Sequence, residues 1–316
     1  MRYFFGIDGG GTSSRLRVEA PDGSLVFYGE GGSTNLNSAS LEAVEASLAG
    51  LMTRARTEAG VEASECLAGF AGSAGIDRPA DRGAFEALIR RTGGFSCPLG
   101  VGNDAEPALA GALEDTEGLL LIAGTGSIAY GRVRDGSSVR AGGWGHLLGD
   151  EGSAWRIAFD AISRSLRSSE GRDLETGLLA AALAHFGLSE PGDLIPFVYG
   201  NLDKRRIASF SRVVGSFRER GDPLALDLFE KAAEELALLL QSVYERIAGR
   251  LENRRAAFRG GLIEGDAALS GRLAALLAER LPDLDLVEPR SDAARGACIL
   301  ARSLVGAGRG GAGTCP

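Results

Sequence analysis

The sequence has few of the residues that build metal clusters, disulfide frameworks or membrane anchors. Only four of its 316 residues are cysteine and two are histidine, and no CxxC or Cys/His metal spacing occurs. This usage argues against a zinc site and a disulfide framework, and it is typical of buried thiols in a reducing compartment. No run of about 18 apolar residues is present, and the first residues lack the apolar core of a signal peptide. We therefore expect a cytoplasmic protein with no membrane partner.

Acidic residues outnumber basic ones, with 42 Asp and Glu against 34 Lys and Arg. The formal net charge is −8, which argues against nucleic acid as a partner. A phosphorylated ligand is still compatible with this charge, because backbone N–H groups and a metal can hold phosphate. The length predicts two domains or one large one, since single hydrophobic cores stop growing near roughly 250–300 residues. The 47 glycines are spread through motifs, so a collagen-like or low-complexity chain is excluded.

A glycine-rich segment, Gly6–Thr12, closes the first apolar run of the chain. Glycine-rich turns often bind phosphates, because backbone N–H groups can approach an anion closely where no Cβ intervenes. In a Walker A loop or a dinucleotide fingerprint, a helix would follow the glycines. Here positions 16, 18 and 20 are apolar and positions 15, 17 and 19 are charged, which is a strand pattern. The segment is therefore predicted to be a β-hairpin tip that carries Asp8 and Thr12.

The same pattern returns later in the chain. A constant shift of 113 residues pairs identical residues throughout a unit of three strands: Gly11/Gly124, Thr12/Thr125, Ser14/Ser127, Asp22/Asp135, Gly23/Gly136, Ser24/Ser137 and Gly29/Gly142. One constant offset across a whole unit predicts an internal duplication. Asp8 has no copy, because the shifted position is Leu121.

Apolar periodicity and capping residues predict the helices. In the first half they cover Leu41–Ala59, about Arg82–Arg91, and Ala105–Leu113 directly after Asn103–Asp104. The second half is mostly helical, with predicted helices at Ser153–Arg167, Leu174–Phe186, Arg205–Arg218, Pro223–Leu251, Ala267–Arg280 and Asp292–Leu304. The tail Gly306–Pro316 is predicted to be frayed.

Two hairpin phosphate loops on duplicated units, with an aspartate between them, resemble the actin-like ATPase and sugar kinase superfamily. Within it the chain is similar to the BadF/BadG/BcrA/BcrD ATPase group that includes N-acetylglucosamine kinase. The matching segments, in family order, are Ile7–Thr12, Ser33–Asn35, Asn103–Asp104, Ala123–Ser127, Gly142–Gly145, Gly149–Ser153 and Gly260–Gly261. The resemblance implies an α/β fold of two ribonuclease H-like (actin-like ATPase) domains with an interdomain cleft. One domain would comprise residues 1–115 and 290–316, and the other residues 116–289.

The resemblance also implies ATP in the cleft, an amino sugar beside its γ-phosphate, and Mg²⁺. Asp104 would be the general base for the sugar hydroxyl; the alternative is a helix N-cap. Asp8 would bind Mg²⁺ through water; the alternative is a turn-forming aspartate. ATP would contact Gly9, Gly10, Gly11, Thr12, Gly124, Thr125, Gly126, Gly260 and Gly261. The sugar would contact Asn35, Ser73, Asp104, Ser127, Gly143, Trp144, Gly145 and Asp150.

For three of these positions, a purely structural role is the alternative. The Asp150–Glu151 pair can cap the helix that starts near Ser153, Trp144 can be a packing residue, and Gly260–Gly261 can be an ordinary strand-to-helix turn. His146 lies within the sugar motif and is a weaker candidate for ligand contact. Asn37 departs from the family pattern, because the mammalian kinase has tryptophan there, so the pocket for the N-acetyl group can differ.

These features predict an ATP-dependent amino-sugar kinase, with N-acetylglucosamine as the leading acceptor and glucosamine or N-acetylmuramic acid as alternatives. A second class is an ATPase that drives a conformational change in a partner protein. That branch of the family carries iron–sulfur cysteines, and the segment after the second loop, through Arg167, has none. A sugar-sensing regulator has little support, because no DNA-binding segment precedes residue 3. We also expect a homodimer.

Overall fold

A computed structural model of the chain describes residues 1–36, 39–76, 78–200 and 203–306. Its first half alternates strands and helices, as the sequence pattern predicts. The elements are β1 (Tyr3–Gly9), β2 (Ser13–Glu19), β3 (Leu25–Gly32), α1 (Leu41–Ala59), β4 (Cys66–Ser73), α2 (Pro79–Gly93), β5 (Leu99–Gly102) and α3 (Ala105–Leu113). The strands form one sheet in the order β3-β2-β1-β4-β5. The expectations for Asn37 and for the tail beyond Gly306 lie outside the described residues.

The second half starts with another hairpin and then becomes mainly helical. Its elements are β6 (Gly118–Ala123), β7 (Ser127–Arg132), β8 (Ser138–Gly142), α4 (Ala154–Ser169), α5 (Leu178–Phe186), α6 (Leu194–Gly200), α7 (Lys204–Ser209), α8 (Ser211–Glu219), α9 (Pro223–Ile247), β9 (Arg255–Arg259), α10 (Ala267–Arg280), β10 (Asp285–Leu286) and α11 (Ala293–Gly306). The five strands form a second sheet in the order β10-β9-β6-β7-β8.

The structure confirms the internal repeat. Read from β8, the second sheet has the strand order of the first, with two antiparallel pairings followed by two parallel ones. The turns also match: Gly23 and Gly136 have φ values of 91° and 90°, a backbone conformation that favours glycine. The Asp22 carboxylate accepts the N–H of Ser24 at 2.9 Å, and Asp135 accepts that of Ser137 at 2.8 Å.

Three predicted helix boundaries in the second half are wrong. The segment predicted as one helix, Arg205–Arg218, is divided between α7 and α8 at Phe210, which is fully buried. The helix predicted from Leu174 begins only at Leu178, because Thr176 Oγ1 instead donates to Asp222. The helix predicted to Leu251 ends at Ile247 and continues as one short 3₁₀ turn. The short helix α6 was not predicted.

Each sheet has its own apolar core. The first lies between the sheet and helices α1 and α2, and the second between the other sheet and the helices from α4 to α10. Cys66 and Cys97 in the first core are thiols whose sulfur atoms are 3.2 Å apart, and Cys298 is buried in α11. None of the helices in the described ranges has both the length and the apolar character needed to cross a bilayer.

Helices α3 and α11 connect the two halves. One face of α3 packs with α11 on the first sheet, through Ala110 and Ala297, and the opposite face packs on the second sheet, through Leu109 and Leu120. The contact between the two helices is backbone to backbone, because a Cβ on Gly296 would lie 1.9 Å from the Pro107 carbonyl oxygen. Any side chain at this position would push the helices apart.

A buried carboxylate fixes α11 to the first sheet. Glu19, at the end of β2, is fully buried and forms ion pairs with Arg17 at 2.5 Å, Arg302 at 2.6 Å and Arg295 at 3.2 Å. Two of these arginines belong to α11. Removing a partner from a buried charge is strongly destabilising, so the attachment of the last helix depends on this cluster.

We predict opposite effects for two helical glycines. Gly296→Ala should lower the free energy of unfolding by roughly 1–3 kcal/mol, because the added methyl group overpacks the contact between α3 and α11. Gly50→Ala in α1, where a Cβ would meet no atom within 4 Å, should raise it by roughly 0.5–1 kcal/mol. Urea denaturation of both variants measures the difference. If both variants change the free energy of unfolding equally, the close contact at Gly296 is contradicted.

Candidate active site

Three predicted site residues lie at one edge of the first sheet, where β1, β4 and β5 end. In the parallel pairing Gly9 lies opposite Ser73, and Gly72 lies opposite Gly102. The chain leaving β5 then crosses close to β4, since a Cβ on Gly72 would lie 2.9 Å from the Asn103 carbonyl oxygen. The register therefore places Asp8, Ser73 and Asp104 at the same edge.

Asp104 precedes α3, but its side chain does not cap the helix. Its φ and ψ of −68° and −21° are already helical, and the Oδ1 atom of Asn103 accepts the Glu106 N–H at 3.1 Å instead. The Asp104 side chain is exposed. Asp104 therefore occupies the N-cap position of α3 without capping the helix through its side chain, and the residue is exposed at the site edge.

Asp8 is a half-buried carboxylate at the end of β1. Arg15 Nη1 donates to its Oδ2 at 3.2 Å across the hairpin. Burial raises the pKa of the Asp8 carboxyl above its ordinary value, and Arg15 opposes this shift. In the described part of the chain no three acidic, histidine or cysteine side chains form a group that could hold a metal. A cation at Asp8 would need phosphate oxygens or water as its other ligands.

The loop after β3 packs beneath the first glycine loop. Ser33 Oγ donates to the Gly10 carbonyl at 3.2 Å and accepts the Asn35 N–H at 3.1 Å. This places the Asn35 amide beside Gly11, where a Cβ would lie 3.7 Å from Nδ2. The structure thus brings Asn35 to the phosphate loop.

Ser73 is placed behind that surface. Its hydroxyl is fully buried, donates to the Thr34 carbonyl at 3.1 Å and lies 3.2 Å from Thr34 Oγ1. Thr34 is also in close contact with the first loop, because a Cβ on Gly9 would lie 2.1 Å from its Oγ1. In this geometry Ser73 positions the loop that carries Asn35. A direct sugar contact of Ser73 stays a prediction.

The second glycine loop, between β6 and β7, is held from behind by Asp150. The Gly124 N–H donates to the Gly126 carbonyl at 2.9 Å. Asp150 Oδ1 accepts the Ser127 N–H at 3.1 Å, and its Oδ2 lies 2.7 Å from Lys204 Nζ. Asp150 and Ser127 are each only 3% exposed.

These contacts decide between the interpretations of Asp150. Helix α4 is capped by Ser153, whose Oγ accepts the Arg156 N–H at 3.2 Å, so capping by the Asp150–Glu151 pair is wrong. Asp150 has an unusual positive φ of 61°, which aims its carboxylate at the loop. Sugar contacts of Asp150 and Ser127 stay predictions.

The segment after β8 is open to solvent. The Gly143 N–H donates to the Ser127 carbonyl at 3.0 Å, which joins this segment to the second loop, and Gly145 follows with a positive φ. Trp144 is 63% exposed and lies below Arg140 at 4.8 Å, so it is not a core packing residue. His146 packs edge-on against the Trp155 ring at 5.2 Å. An exposed indole beside the second loop can contact a ligand.

A cleft of about 580 Å³ opens at the second loop. Gly260, with a φ of 110°, turns the chain so that Leu262 and Ile263 donate to the Ala123 carbonyl, each at 3.2 Å. Gly261 then faces open space in the cleft. The cleft walls also include Gly124, Thr125, Ala154, Arg205, Ala208, Ser209, Ser211, Arg212, Gly215, Ser216, Glu219, Phe229, Leu262, Gly265 and Asp266. Of the residues predicted to contact ATP, Gly124, Thr125 and Gly261 thus line one cavity, and those of the first loop do not line it.

Arg205 connects this cleft to the first glycine loop, and the sequence analysis missed it. Its guanidinium lines the cleft, and its Nη2 donates to Thr12 Oγ1 at 2.7 Å. The two residues are 193 positions apart. A local signal was present in Lys204-Arg205-Arg206, three consecutive cations in an acidic chain. Arg205 thus contacts Thr12 and lines the same cleft as Thr125 and Gly261.

Comparisons with known proteins show the family of this chain. A sequence model of the BadF/BadG/BcrA/BcrD ATPase family matches residues 5–301. The N-acetylmuramic acid/N-acetylglucosamine kinase of Clostridium acetobutylicum is 36% identical, over 96% of this chain and 99% of that protein. The N-acetyl-D-glucosamine kinase of Dictyostelium discoideum is 28% identical, over 94% and 97%.

Among solved structures, a protein from Chromobacterium violaceum, provisionally named N-acetylglucosamine kinase, superposes with a TM-score of 0.71. It is 29% identical, over 95% of this chain and 99% of that one. The predicted fold class is confirmed: two five-stranded sheets in the arrangement of the actin-like ATPases and sugar kinases.

The Asp8 carboxylate should lower the free energy of unfolding at neutral pH, and this effect should disappear at low pH. Because burial raises its folded-state pKa, the charged carboxylate opposes folding at neutral pH, and this cost disappears once both states are protonated. Asp8→Asn should therefore be more stable than the wild type near pH 7, and the gain should shrink as the pH falls toward about 4. Urea denaturation across this range measures it. Asp22→Asn is the control: hydrogen bonds from Ser24 lower the pKa of Asp22, so this variant should show no gain.

Proposed function

The chain belongs to the BadF/BadG/BcrA/BcrD ATPase family, and from this membership and the site geometry we propose that it is an ATP-dependent amino-sugar kinase. N-acetylglucosamine is the leading acceptor. The observation that carries the proposal is the hydrogen bond from Arg205 to Thr12, because it connects the first glycine-rich loop to a side chain of α7 that lines the same cleft as Gly124 and Thr125 of the second loop. A kinase needs both a nucleotide cleft and a base for the acceptor, and Asp104 supplies the base at the adjoining sheet edge.

The glycines of both loops fit a phosphate ligand. Gly9 and Gly126 are packed against Thr34 and Asp150 so closely that a Cβ at either would lie within 2.6 Å of a side-chain oxygen. On the cleft side, by contrast, a Cβ on Gly124 would meet no atom nearer than 3.6 Å, and one on the neighbouring Gly261 would meet none within 4 Å. Backbone N–H groups on that side can approach phosphate oxygens, as phosphate-binding loops require.

The chemistry assigned to the chain is proton transfer and orientation. Asp104 accepts the proton of the attacking sugar hydroxyl while the new O–P bond forms and the bond to the β-phosphate oxygen breaks. ADP leaves with the electron pair of that bond. The two glycine loops hold the phosphates in line, and the loop with Asn35 and the segment with Trp144 flank the place where the sugar would lie.

Asp8 is the proposed residue for Mg²⁺. A single half-buried carboxylate beside a phosphate loop fits a cation that keeps several water ligands and is bound mainly by substrate phosphates. When bound, Mg²⁺ would neutralise charge on the transferred phosphoryl group. Leu121, at the matching place of the second repeat, is fully buried, so the proposed metal site belongs to the first loop only.

The named relatives guide the choice of acceptor. The relative from Clostridium acetobutylicum is named for both N-acetylmuramic acid and N-acetylglucosamine, which supports an acceptor with an N-acetyl group and keeps N-acetylmuramic acid as the principal alternative. Glucosamine is the remaining candidate. The alternative ATPase function has no comparable support, because residues 127–167 contain no cysteine for a shared cluster.

The proposed domain division follows the two sheets. Residues 1–115 with 290–316 would form one domain, which is supported by the packing of α11 on α3 and the first sheet. Residues 116–289, which contain every strand of the second sheet, would form the other. The homodimer and the cytoplasmic location stay predictions, with gel filtration and cell fractionation as their tests.

Phosphate transfer to a panel of sugars tests the function. We expect ATP consumption to rise well above its basal rate with N-acetylglucosamine or N-acetylmuramic acid, in the presence of Mg²⁺, and the phosphorylated sugar to appear by mass spectrometry. If glucosamine alone responds, the N-acetyl group is not required. If no sugar in the panel raises turnover, the kinase proposal is wrong.

Asp104→Asn should reduce kcat by roughly 100- to 10,000-fold, the range for loss of a general base. ATP affinity and the unfolding midpoint should stay near their wild-type values, because the Asp104 side chain caps no helix. Asp222→Asn is the matched control: this aspartate caps α9 far from the loops, and asparagine caps helices equally well. An Asp104→Asn variant with near wild-type turnover would show that another group is the base.

A further inference from the structure

Arg205 contacts the first glycine loop and lines the cleft at the second. Its guanidinium is at once a wall of the cleft beside Gly124 and Thr125 and a hydrogen-bond donor to Thr12 in the first loop, at 2.7 Å. The side chain is exposed, so the cleft and its solvent can reach it. A cation in this place is within reach of both ends of a triphosphate held by the two loops.

The helix that carries Arg205 is fixed to the second loop. Asp203 caps α7 by accepting the N–H groups of Arg205 at 3.0 Å and Arg206 at 3.1 Å. Lys204 forms the 2.7 Å ion pair with Asp150, whose other oxygen binds the Ser127 N–H. The N-terminus of α7 is therefore attached to the second loop, while the Arg205 side chain extends toward the first loop. Lys204 therefore attaches α7 to the second loop, whereas Arg205 contacts the first loop.

Several carboxylates lie at the site, so a bound triphosphate needs a cation there. Asp8 and Asp104 lie at the edge of the first sheet. Glu219 and Asp266 line the cleft together with Arg212, and Arg218 pairs with Asp266 at 3.0 Å. Among these cations, Arg205 is the one that also donates to the first loop. Carboxylates repel a triphosphate, and backbone N–H groups carry no net charge. Arginine presents a planar set of donors that matches two phosphate oxygens, whereas lysine offers a single point charge. Arg205 has the chemistry to bind phosphate beside the first loop.

We propose that Arg205 is a catalytic residue that exchanges its hydrogen bond to Thr12 for the β- and γ-phosphate oxygens of the bound nucleotide. The inference rests on the proposed kinase function and deepens it. Arg205 keeps its proton throughout: the hydroxyl proton goes to Asp104, and the electron pair of the broken P–O bond leaves with ADP. The guanidinium stabilises the negative charge on the phosphoryl oxygens during transfer and holds the two loops on one ligand.

A purely structural role would have a different signature. If Arg205 served only to hold Thr12 in place, its loss would disturb the empty protein and would affect adenosine and ATP binding alike. If it binds phosphate, its loss should affect only ligands that carry β- and γ-phosphates. Comparing ATP with AMP separates the two roles in the full-length protein.

The test compares Arg205→Ala, Arg205→Lys and the wild type by isothermal titration calorimetry and by steady-state kinetics. Arg205→Ala should bind ATP about 10- to 100-fold more weakly and lower kcat by at least as much, the size expected for charge-assisted hydrogen bonds. AMP affinity should change less than about twofold. Added guanidinium ion should restore part of kcat in Arg205→Ala, and Arg205→Lys should lie between the two.

Arg206→Gln is the matched control on the same helix. Its guanidinium donates to the Phe186 carbonyl at 3.0 Å and lies over the Phe197 ring at 4.8 Å, away from the first loop. This variant loses one positive charge, as Arg205→Ala does, and should keep wild-type kcat and ATP affinity. Thermal melts of all variants ensure that folded proteins are compared.

Each outcome has a clear meaning. If Arg205→Ala weakens AMP and ATP equally, or if it keeps near wild-type kcat and ATP affinity, the inference is wrong while the kinase function can stand. If the wild type phosphorylates no sugar, the proposed function is wrong, and the ATP-to-AMP comparison still decides the role of Arg205. If Arg205→Ala does not fold, Arg205→Lys decides the question. Weaker binding of ATP with unchanged binding of AMP supports the inference, and equal weakening of both contradicts it.

Discussion

Backbone contact between α3 and α11 determines how the two sheets are joined. Gly111 and Gly296 lie where a Cβ on either would be within 2.0 Å of a backbone atom of the other helix or of its N-terminal turn. The outer face of α3 then packs on the second sheet. Both sheets thus share one helix as a common wall. The residue that begins this wall is Asp104, so the candidate base is set at the junction of the two halves.

The two repeats contribute different chemistry to one site. The first provides carboxylates, Asp8 and Asp104, at the sheet edge. The second provides the open cleft with Arg205 of α7, and its equivalent of Asp8 is an apolar core residue, Leu121. The duplicated fold is therefore asymmetric at the site: the Asp8 carboxylate comes from one repeat and the Arg205 guanidinium from the other half. A ligand with a metal-bound triphosphate matches that asymmetry.

Much of the fold could be read from the sequence, because local signals determine it. The bounds predicted for α1, α3 and α10 agree with the structure. Helices α1 and α10 have a clear apolar stripe, α3 is mostly apolar on all sides, and each follows a polar residue. The repeat was visible because its turns need Asp-Gly-Ser in both copies. Phe210 shows the limit: its apolar pattern continues the helix on either side, and only burial in the core divides α7 from α8.

The site was predictable in its backbone and less so in its side chains. Glycine motifs located both loops and Gly261, but nothing local indicates that Ser73 and Asp150 are turned inward, or that Arg205 reaches a threonine in the other half. Those features depend on packing between distant segments. The covering of β1 is another such feature: a Cβ on Gly6 would lie 2.4 Å from the Ala294 carbonyl oxygen, and Cys298 Sγ donates at 3.5 Å to the Arg17 carbonyl, 281 positions earlier. During synthesis the first sheet therefore leaves the ribosome with this face covered only in part, by α3, until α11 is made. The half that is translated first is completed last, which reverses the usual N-terminal-first order of folding on the ribosome.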